Sequence, residues 1–254
     1  MYLAEVRGLT KSFGGIRAIE EVSFKVEDRA IVGIIGPNGA GKTTLFNCLT
    51  GLTRPTKGTV HFMDREISSL PAHRIAELGV ARTFQNSRLF SEMTVLENVM
   101  VAQHTKTRYG LVSALLRGAG FRRKERAVRE KVFEYLELAG LEECTDTAAG
   151  SLPYGRQRRL EIARALATEP RIVLLDEPTA GMNPRETSEI MELIRRIREM
   201  GKTVLLIEHD MRLVMGISER IIVLDHGVKI AEGTPEQVKS DPLVIEAYLG
   251  KELQ

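Results

Sequence analysis

The sequence predicts an α/β fold in which a buried, largely parallel sheet forms the centre of the molecule. Three short apolar runs carry this prediction, at residues 30–35, 171–178 and 203–207. Runs of this length suit strands that are covered on both faces. Between the last two runs, apolar side chains recur at the spacing of a helix that packs one face on such a sheet, namely Ile190, Leu193, Ile194 and Ile197.

A glycine-rich loop follows the first apolar run. It matches the pattern G-x-x-x-x-G-K-[ST] without a departure, as Gly36, Pro37, Asn38, Gly39, Ala40, Gly41, Lys42 and Thr43. A helix pattern follows at 44–49, so backbone N–H groups and the positive helix end would face a polyphosphate. We expect Lys42 to reach the β- and γ-phosphates, Thr43 to ligate Mg²⁺, and Thr44 to complete the ATP-binding set. The setting predicts a P-loop nucleoside triphosphatase core of the RecA-like kind; the alternative is a glycine-rich turn that happens to hold a lysine.

Two adjacent acidic residues end the second apolar run. Asp176 stands at the carboxyl end of this predicted strand, where its carboxylate would hold Mg²⁺ or the waters around it. Glu177 follows and is placed to orient or activate the attacking water. The alternative is a strand that ends in a solvated acidic turn.

The N-terminal part predicts a small antiparallel sheet beside this core. Residues 22–26 alternate between apolar and polar, which is the period of a half-exposed strand, and 60–62 continue the pattern after a turn at Lys57-Gly58. Phe13 falls in a glycine-rich loop between these strands. An exposed phenylalanine there can stack on an adenine ring, or it can anchor the loop on the sheet.

Residues 86–153 predict an inserted helical subdomain. Thr94 and Glu97 form a capping box that opens a helix through about Gln103. A second helix places an apolar stripe on one face, made of Val128, Val132, Tyr135 and Leu136. A basic cluster lies between them: Arg117, Arg122, Arg123, Lys124, Arg126 and Arg129. It is a solvated face, or it contacts anionic lipid headgroups or a membrane protein.

We therefore predict one domain, residues 1–254, with three parts. The nucleotide-binding core and its β subdomain comprise 1–85 and 154–233. The helical subdomain is 86–153, and a tail with two short helices is 234–254.

Composition excludes several classes of protein. The 254 residues are 43% hydrophobic and 28% charged, as is ordinary for a globular protein, and the net charge of +2 favours no polyanion such as nucleic acid. Cys48 and Cys144 show no metal-binding spacing, so we expect a reducing compartment. We expect no signal peptide, and no apolar run approaches the roughly 20 residues of a membrane helix. Another chain would have to supply any membrane part.

Further motifs resemble the ATP-binding subunit of ABC transporters. Residues 151–166 are similar to the ABC signature and its helix, Gln85 to the Q-loop glutamine, His209 to the switch histidine and Phe13 to the adenine-stacking aromatic. The resemblance is narrower in four segments, which are similar to the LivG-type subunit of branched-chain amino acid importers. These segments are the signature sequence, residues 208–215, residues 246–250 and the arginine-rich insertion near 105–126.

The resemblance implies roles for individual residues. Gln85 would offer oxygen to Mg²⁺ and an N–H to the water, and His209 would bond the γ-phosphate and help hold Glu177. The signature would grip the γ-phosphate held by an opposite subunit and consists of Leu152, Pro153, Tyr154, Gly155 and Arg156. Pro153, Tyr154 and Arg156 depart from the common Leu-Ser-Gly-Gly-Gln, and Asn183 stands where many relatives carry Asp. The signature departures predict that the site which this signature completes is weaker or differently wired, and Asn183 bears on the communication between the two sites.

The resemblance also implies partners and a location. The chain would pair with a second, paralogous ATP-binding subunit as a heterodimer beneath a membrane permease, which a solute-binding protein feeds. It would be peripheral, at the cytoplasmic face of the inner or plasma membrane, and would bind no nucleic acid. The alternatives are another cargo, such as urea, short amides or lipopolysaccharide, and a soluble ABC protein acting on DNA or ribosomes. A GTPase would need an Asn-Lys-x-Asp motif, which the sequence lacks.

Overall fold

A computed structural model describes residues 2–85, 88–103 and 119–249, apart from the side chains of 119–125 and 249. Its strands are β1 (Tyr2–Phe13), β2 (Ile16–Glu27), β3 (Ile31–Ile35), β4 (Lys57–Phe62), β5 (Arg65–Glu66), β6 (Val80–Arg82), β7 (Ile172–Asp176), β8 (Thr203–Ile207), β9 (Arg220–Asp225) and β10 (Val228–Gly233). Its helices are α1 (Lys42–Leu49), α2 (Ala72–Glu77), α3 (Val95–Gln103), α4 (Ala119–Leu138), α5 (Tyr154–Leu166), α6 (Pro184–Glu199), α7 (Met211–Ile217), α8 (Pro235–Lys239) and α9 (Pro242–Leu249).

The central sheet has the order β10-β9-β3-β8-β7-β6 within the described residues. Neighbouring strands from β9 to β6 run parallel, and β10 pairs antiparallel with β9. Every residue of β3, β7 and β8 is buried, because successive side chains enter two apolar cores on opposite faces. For example, Ile31 and Ile35 join one core while Val32 and Ile34 join the other. The predicted α/β class is confirmed.

The second sheet is the predicted antiparallel one, with the order β2-β1-β4-β5. The expected turn at Lys57-Gly58 is wrong, because both residues lie inside β4, where Lys57 pairs with Thr10 of β1. Phe13 is the last residue of β1 and pairs with Ile16 across the tight turn to β2. The hairpin therefore presents Phe13 at one end of this sheet.

The helical segment between β6 and α5 follows the sequence prediction. The Glu97 N–H donates to Thr94 Oγ1 at 3.2 Å and the Thr94 N–H donates to Glu97 Oε2 at 2.8 Å, which is the predicted capping box. On α4, Val132 and Leu136 are buried as expected. Two members of the basic cluster, Arg126 and Arg129, have exposed side chains on α4; the others lie outside the described residues or side chains.

The sequence pattern predicts a helix from Arg156 to Ala167, but the signature helix begins at Tyr154 and ends at Leu166. Pro153 is the N-cap residue, and its carbonyl accepts the N–H of Gln157 at 3.0 Å. The predicted tail helices are α8 and α9, the first opened by a capping box of Thr234 and Gln237. In the described part of the chain, no helix combines the length and apolarity needed to cross a bilayer.

Candidate nucleotide site

Most of the predicted site residues lie at one edge of the central sheet. The glycine loop follows β3, Glu208 and His209 follow β8, and Asp176 ends β7. Gln85 comes shortly after β6. Because β3, β8, β7 and β6 are successive parallel neighbours, their carboxyl ends meet at the same edge.

The glycine loop packs closely against β2 of the small sheet. Gly41 has φ +95°, and a Cβ at this residue would lie 2.5 Å from the carbonyl oxygen of Ala18 on β2. A Cβ at Gly227, in the turn between β9 and β10, would approach the same oxygen to 2.8 Å. Any side chain at Gly41 would therefore push β2 away from the loop.

Lys42 lies inside the loop that it closes. Its side chain is buried, and Nζ donates to the carbonyls of Gly36 at 2.7 Å and Pro37 at 3.0 Å. Asn38, Gly39 and Thr43 are exposed around it. The loop thus combines a buried cation with accessible backbone, which suits a polyphosphate ligand.

Asp176 is paired with Arg82, a residue that the sequence analysis did not single out. Arg82 Nη2 lies 2.7 Å from Asp176 Oδ2, and the two side chains are 6% and 5% exposed. Arg82 Nη1 also donates to Asn47 Oδ1 of α1 at 2.7 Å. Phe46 and Phe84 flank the guanidinium, with ring centroids 5.5 and 5.2 Å away. The sequence feature that could have identified Arg82 is its position as a charged residue at the end of a buried strand.

Gln85 and Glu177 are in direct contact. Gln85 Nε2 donates to Glu177 Oε2 at 3.0 Å. Glu177 has φ +47°, a strained conformation for a residue with a side chain, and its N–H donates to the carbonyl of Ile207 on β8 at 2.9 Å. Such strain at a carboxylate beside a phosphate loop is typical of functional sites.

His209 lies beside its buried neighbour Glu208. Burial raises the pKa of the Glu208 carboxyl, although hydrogen bonds from Thr179 to Oε1, at 2.9 Å from N and 2.6 Å from Oγ1, oppose this rise. His209 Nδ1 lies 3.7 Å from Glu208 Oε2, and its side chain is 60% exposed. The structure thus pairs His209 with Glu208, and its approach to Glu177 stays a prediction.

Two residues that depart from the common family pattern, Tyr154 and Asn183, accept hydrogen bonds through their side chains. The hydroxyl of Tyr154 accepts from Arg158 Nε at 2.9 Å and Nη2 at 2.7 Å. Gly155 is buried, whereas Arg156 is exposed. The Asn183 side chain caps α6 by accepting two N–H groups at 3.0 Å each, so it performs the capping that an aspartate would perform equally well.

Phe13 stands apart from the sheet edge, on the hairpin of the small sheet. Its side chain is 51% exposed, and Lys11 Nζ lies 4.8 Å from the ring centroid. The exposed ring of Phe13 can therefore stack on a nucleobase.

The chain matches two known protein families. A profile described as ABC transporter matches residues 19–180. The chain belongs to the ATP-binding subunits of ABC transporters. A second profile, described as branched-chain amino acid ATP-binding cassette transporter, matches residues 228–253.

Curated relatives cover nearly the whole chain. It is 52% identical over 250 residues to the high-affinity branched-chain amino acid transport ATP-binding proteins BraF of Pseudomonas aeruginosa and LivG of Escherichia coli K12, with 98% of each chain covered. It is 38% identical over 252 residues to the lipopolysaccharide export system ATP-binding protein LptB of Acidithiobacillus ferridurans, covering 99% of this chain and 98% of that protein.

Solved structures agree with the fold. The ADP conformation of an ATP-binding cassette from an ABC transporter has a TM-score of 0.86 and 34% identity, covering 98% of this chain and 99% of that chain. A dimeric cassette in a post-hydrolysis state, bound to ADP and Pi, has a TM-score of 0.77 and 29% identity, covering 91% and 98%. The ABC recognition drawn from the sequence is confirmed, as is nucleotide binding by the family.

Proposed function

We propose that this chain hydrolyses ATP to power the import of branched-chain amino acids. The observation that carries the ATPase chemistry is the Gln85–Glu177 contact at the sheet edge that also holds the intact phosphate loop. The cargo assignment is supported by the difference between 52% identity to branched-chain amino acid subunits and 38% to a lipopolysaccharide subunit. The match of the tail to a branched-chain amino acid profile supports the same cargo.

In this proposal the loop binds the phosphates of ATP. Its N–H groups, the N-terminus of α1 and Lys42 supply positive potential, and Thr44 contributes from the first turn of the helix. On binding, Lys42 exchanges the carbonyls of Gly36 and Pro37 for phosphate oxygens. Phe13 stacks on the adenine ring.

Oxygen donors suited to Mg²⁺ lie at the same edge. Thr43, Gln85 and Asp176 would hold the ion through a hydroxyl, an amide oxygen and a carboxylate, the ligand types that Mg²⁺ prefers. Asp176 would contribute its carboxylate to the cation or its waters while Arg82 donates to Oδ2. When bound, Mg²⁺ neutralises charge that develops on the phosphates.

Glu177 is the catalytic carboxylate of this proposal. It accepts a hydrogen bond from the attacking water and orients the oxygen toward the γ-phosphate. Gln85 holds that carboxylate by its amide N–H at 3.0 Å. His209, which lies beside Glu208 and is exposed, donates to the γ-phosphate.

The second ATP-binding subunit completes the site. The signature residues 152–156 contact the nucleotide held by the partner, and the partner's signature contacts this one. Pro153 has no N–H to donate, so two copies of this chain would make a poorer pair than this chain with a paralogue. The dimeric form of a similar cassette supports a two-subunit arrangement, and we propose that it is a heterodimer.

The permease contacts a groove next to Gln85. This groove has a volume of about 440 Å³, and its lining includes Phe84, Arg88, Phe90 and Arg164. Phe90 is half-exposed, while its backbone is held by the buried Asn98, which accepts the Phe90 N–H at 2.9 Å. An exposed aromatic side chain on a hydrogen-bonded backbone beside a groove supports docking of a permease segment at the cytoplasmic face of the membrane, with the chain peripheral to it. The solute-binding protein acts through the permease.

The test uses the complex of this chain, its paralogous subunit, the permease and the binding protein in proteoliposomes. Wild-type complex should take up leucine with ATP hydrolysis. Glu177→Gln should bind ATP but lower hydrolysis by about 100-fold or more, because it keeps the shape and loses the carboxylate. Glu192→Gln on the exposed part of α6 is the matched control and should retain the wild-type rate.

Two results would contradict parts of the proposal separately. A wild-type rate in Glu177→Gln would remove Glu177 from the chemistry. Hydrolysis that responds to urea or lipopolysaccharide but not to leucine, isoleucine or valine would leave the ATPase intact and change the cargo.

A further inference from the structure

We propose that Tyr154 and Arg158 are positioning residues that link the signature segment of this chain to its own Gln85. The signature serves the nucleotide of the partner subunit in the proposed function, whereas Gln85 serves the nucleotide of this chain. The inference rests on that proposed function. It assigns to Tyr154 a second task, in which its hydroxyl affects hydrolysis at the site of its own chain.

Arg158 is the centre of the link. It lies one helical turn after Tyr154 on α5 and is 4% exposed. Besides its two bonds to the Tyr154 hydroxyl, Nη1 donates to the carbonyl of Phe84 at 2.8 Å and Nη2 donates to the carbonyl of Gln85. One planar guanidinium thus joins the signature side chain to the backbone that carries Gln85.

Glu161 secures the other end of the same segment. Its Oε2 accepts from Arg158 Nη1 at 2.9 Å, and its Oε1 accepts the N–H of Arg88 at 2.9 Å. Both members of this ion pair are about 95% buried, with exposed side-chain fractions of 5% and 4%. The pair therefore contacts the backbone before position 86, at Phe84 and Gln85, and after position 87, at Arg88. Because it is buried, solvent weakens the attraction between the two charges little.

The last contact reaches the reacting groups. The Gln85 backbone is held by Arg158, and its side chain donates to Glu177 at 3.0 Å. Tyr154, Arg158, Gln85 and Glu177 consequently form a continuous hydrogen-bonded series. A displacement of Tyr154 changes the position of the amide that holds the proposed catalytic carboxylate.

The Tyr154 side chain provides a hydroxyl that accepts hydrogen bonds from Arg158, which the glycine of the common signature could not provide. A glycine at position 154 has no hydroxyl, and it would leave Nε of a buried guanidinium without this acceptor. The Tyr154 ring is also 43% exposed, so a second subunit can touch the same side chain that holds Arg158. This departure is therefore the point where contact with the partner is passed to Gln85.

A double-mutant cycle in the complete transporter tests the link. Tyr154→Phe should lower kcat about fivefold while KM for ATP stays within about twofold, and Gln85→Ala should lower kcat about tenfold. If Tyr154 acts through Gln85, the double variant should stay within about twofold of Gln85→Ala, whereas independent effects would multiply to about fiftyfold. Multiplied effects would overturn the inference, as would an unchanged kcat in Tyr154→Phe.

Two further variants separate positioning from general structure. Arg158→Lys keeps the charge but loses the planar fork, so it should resemble Tyr154→Phe in kcat and KM. Arg159→Gln removes the next arginine, which pairs with Glu189 at 3.4 Å instead of with Tyr154 or Gln85, and should keep the wild-type rate. An equal loss in Arg159→Gln would overturn the inference. A wild-type complex without ATP hydrolysis would contradict the proposed function itself.

Discussion

Arg82→Gln should destabilise the protein strongly in the absence of nucleotide. The substitution removes the buried cation that lies 2.7 Å from Asp176 Oδ2 and leaves the carboxylate without its charge partner. A glutamine is shorter and neutral, so it cannot restore the pair. It also gives up the hydrogen bond to Asn47 of α1.

The size of the effect follows from burial. Breaking one partner out of a buried ion pair costs about 3–5 kcal/mol, and we take roughly 4 kcal/mol because both side chains are about 95% buried. For a domain of this size, each kcal/mol lowers Tm by about 2–4 °C, so Tm should fall by roughly 8–16 °C. Mg-ATP should reduce the difference in Tm between the wild type and Arg82→Gln, because the bound cation would offset the charge of Asp176.

Thermal unfolding of the purified chain measures this directly, without nucleotide, with ATP and EDTA, and with Mg-ATP. Arg198→Gln is the control, because its pair with Glu219 is 45% exposed on each side and should contribute less than about 1 kcal/mol. If Arg82→Gln lost no more stability than this control, the reasoning from burial would be wrong. If Mg-ATP failed to narrow the difference, Asp176 would not be the residue facing the cation.

Two other predictions concern the edges of the nucleotide site. Phe13→Ala should weaken ATP binding by about 1–2 kcal/mol, the scale of one aromatic–base stack, in a nucleotide titration; unchanged affinity would leave Phe13 as a loop anchor. Phe90→Glu, or a charge at the neighbouring Leu89, should abolish leucine uptake in proteoliposomes while ATP affinity stays at the wild-type value. Normal uptake by these variants would place the permease contact elsewhere.

The sequence was sufficient where the determinant is local. The phosphate loop, the run that ends at Asp176 and the Thr94 capping box each occupy a few consecutive residues, so their patterns predicted strand, loop and helix correctly. Arg82 and Arg158 were missed because their partners Asp176 and Gln85 lie far away along the chain. The sequence pattern shows that a charged residue interrupts an apolar segment. The group that pairs with the buried charge can be identified only in the folded structure.

The start of the signature helix was misjudged for a different reason. A proline followed by Tyr154 and a glycine indicates a turn as readily as a helix start, since proline suits both. The structure resolves the choice through the carbonyl of Pro153, which accepts from Gln157. The expected turn at Lys57-Gly58 failed in the same way, because pairing with β1 outweighs the local preference of glycine for turns.

The shared approach of Gly41 and Gly227 to the carbonyl of Ala18 affects how substitutions in the phosphate loop are interpreted. A side chain at Gly41 would separate the two sheets whether or not that residue touches a phosphate, so lost ATP binding would not identify a ligand contact. Gly227 lies outside the loop and meets the same oxygen. The two glycines are therefore both constrained by the position of one carbonyl oxygen, and their tolerance to mutation should vary together across a saturation library.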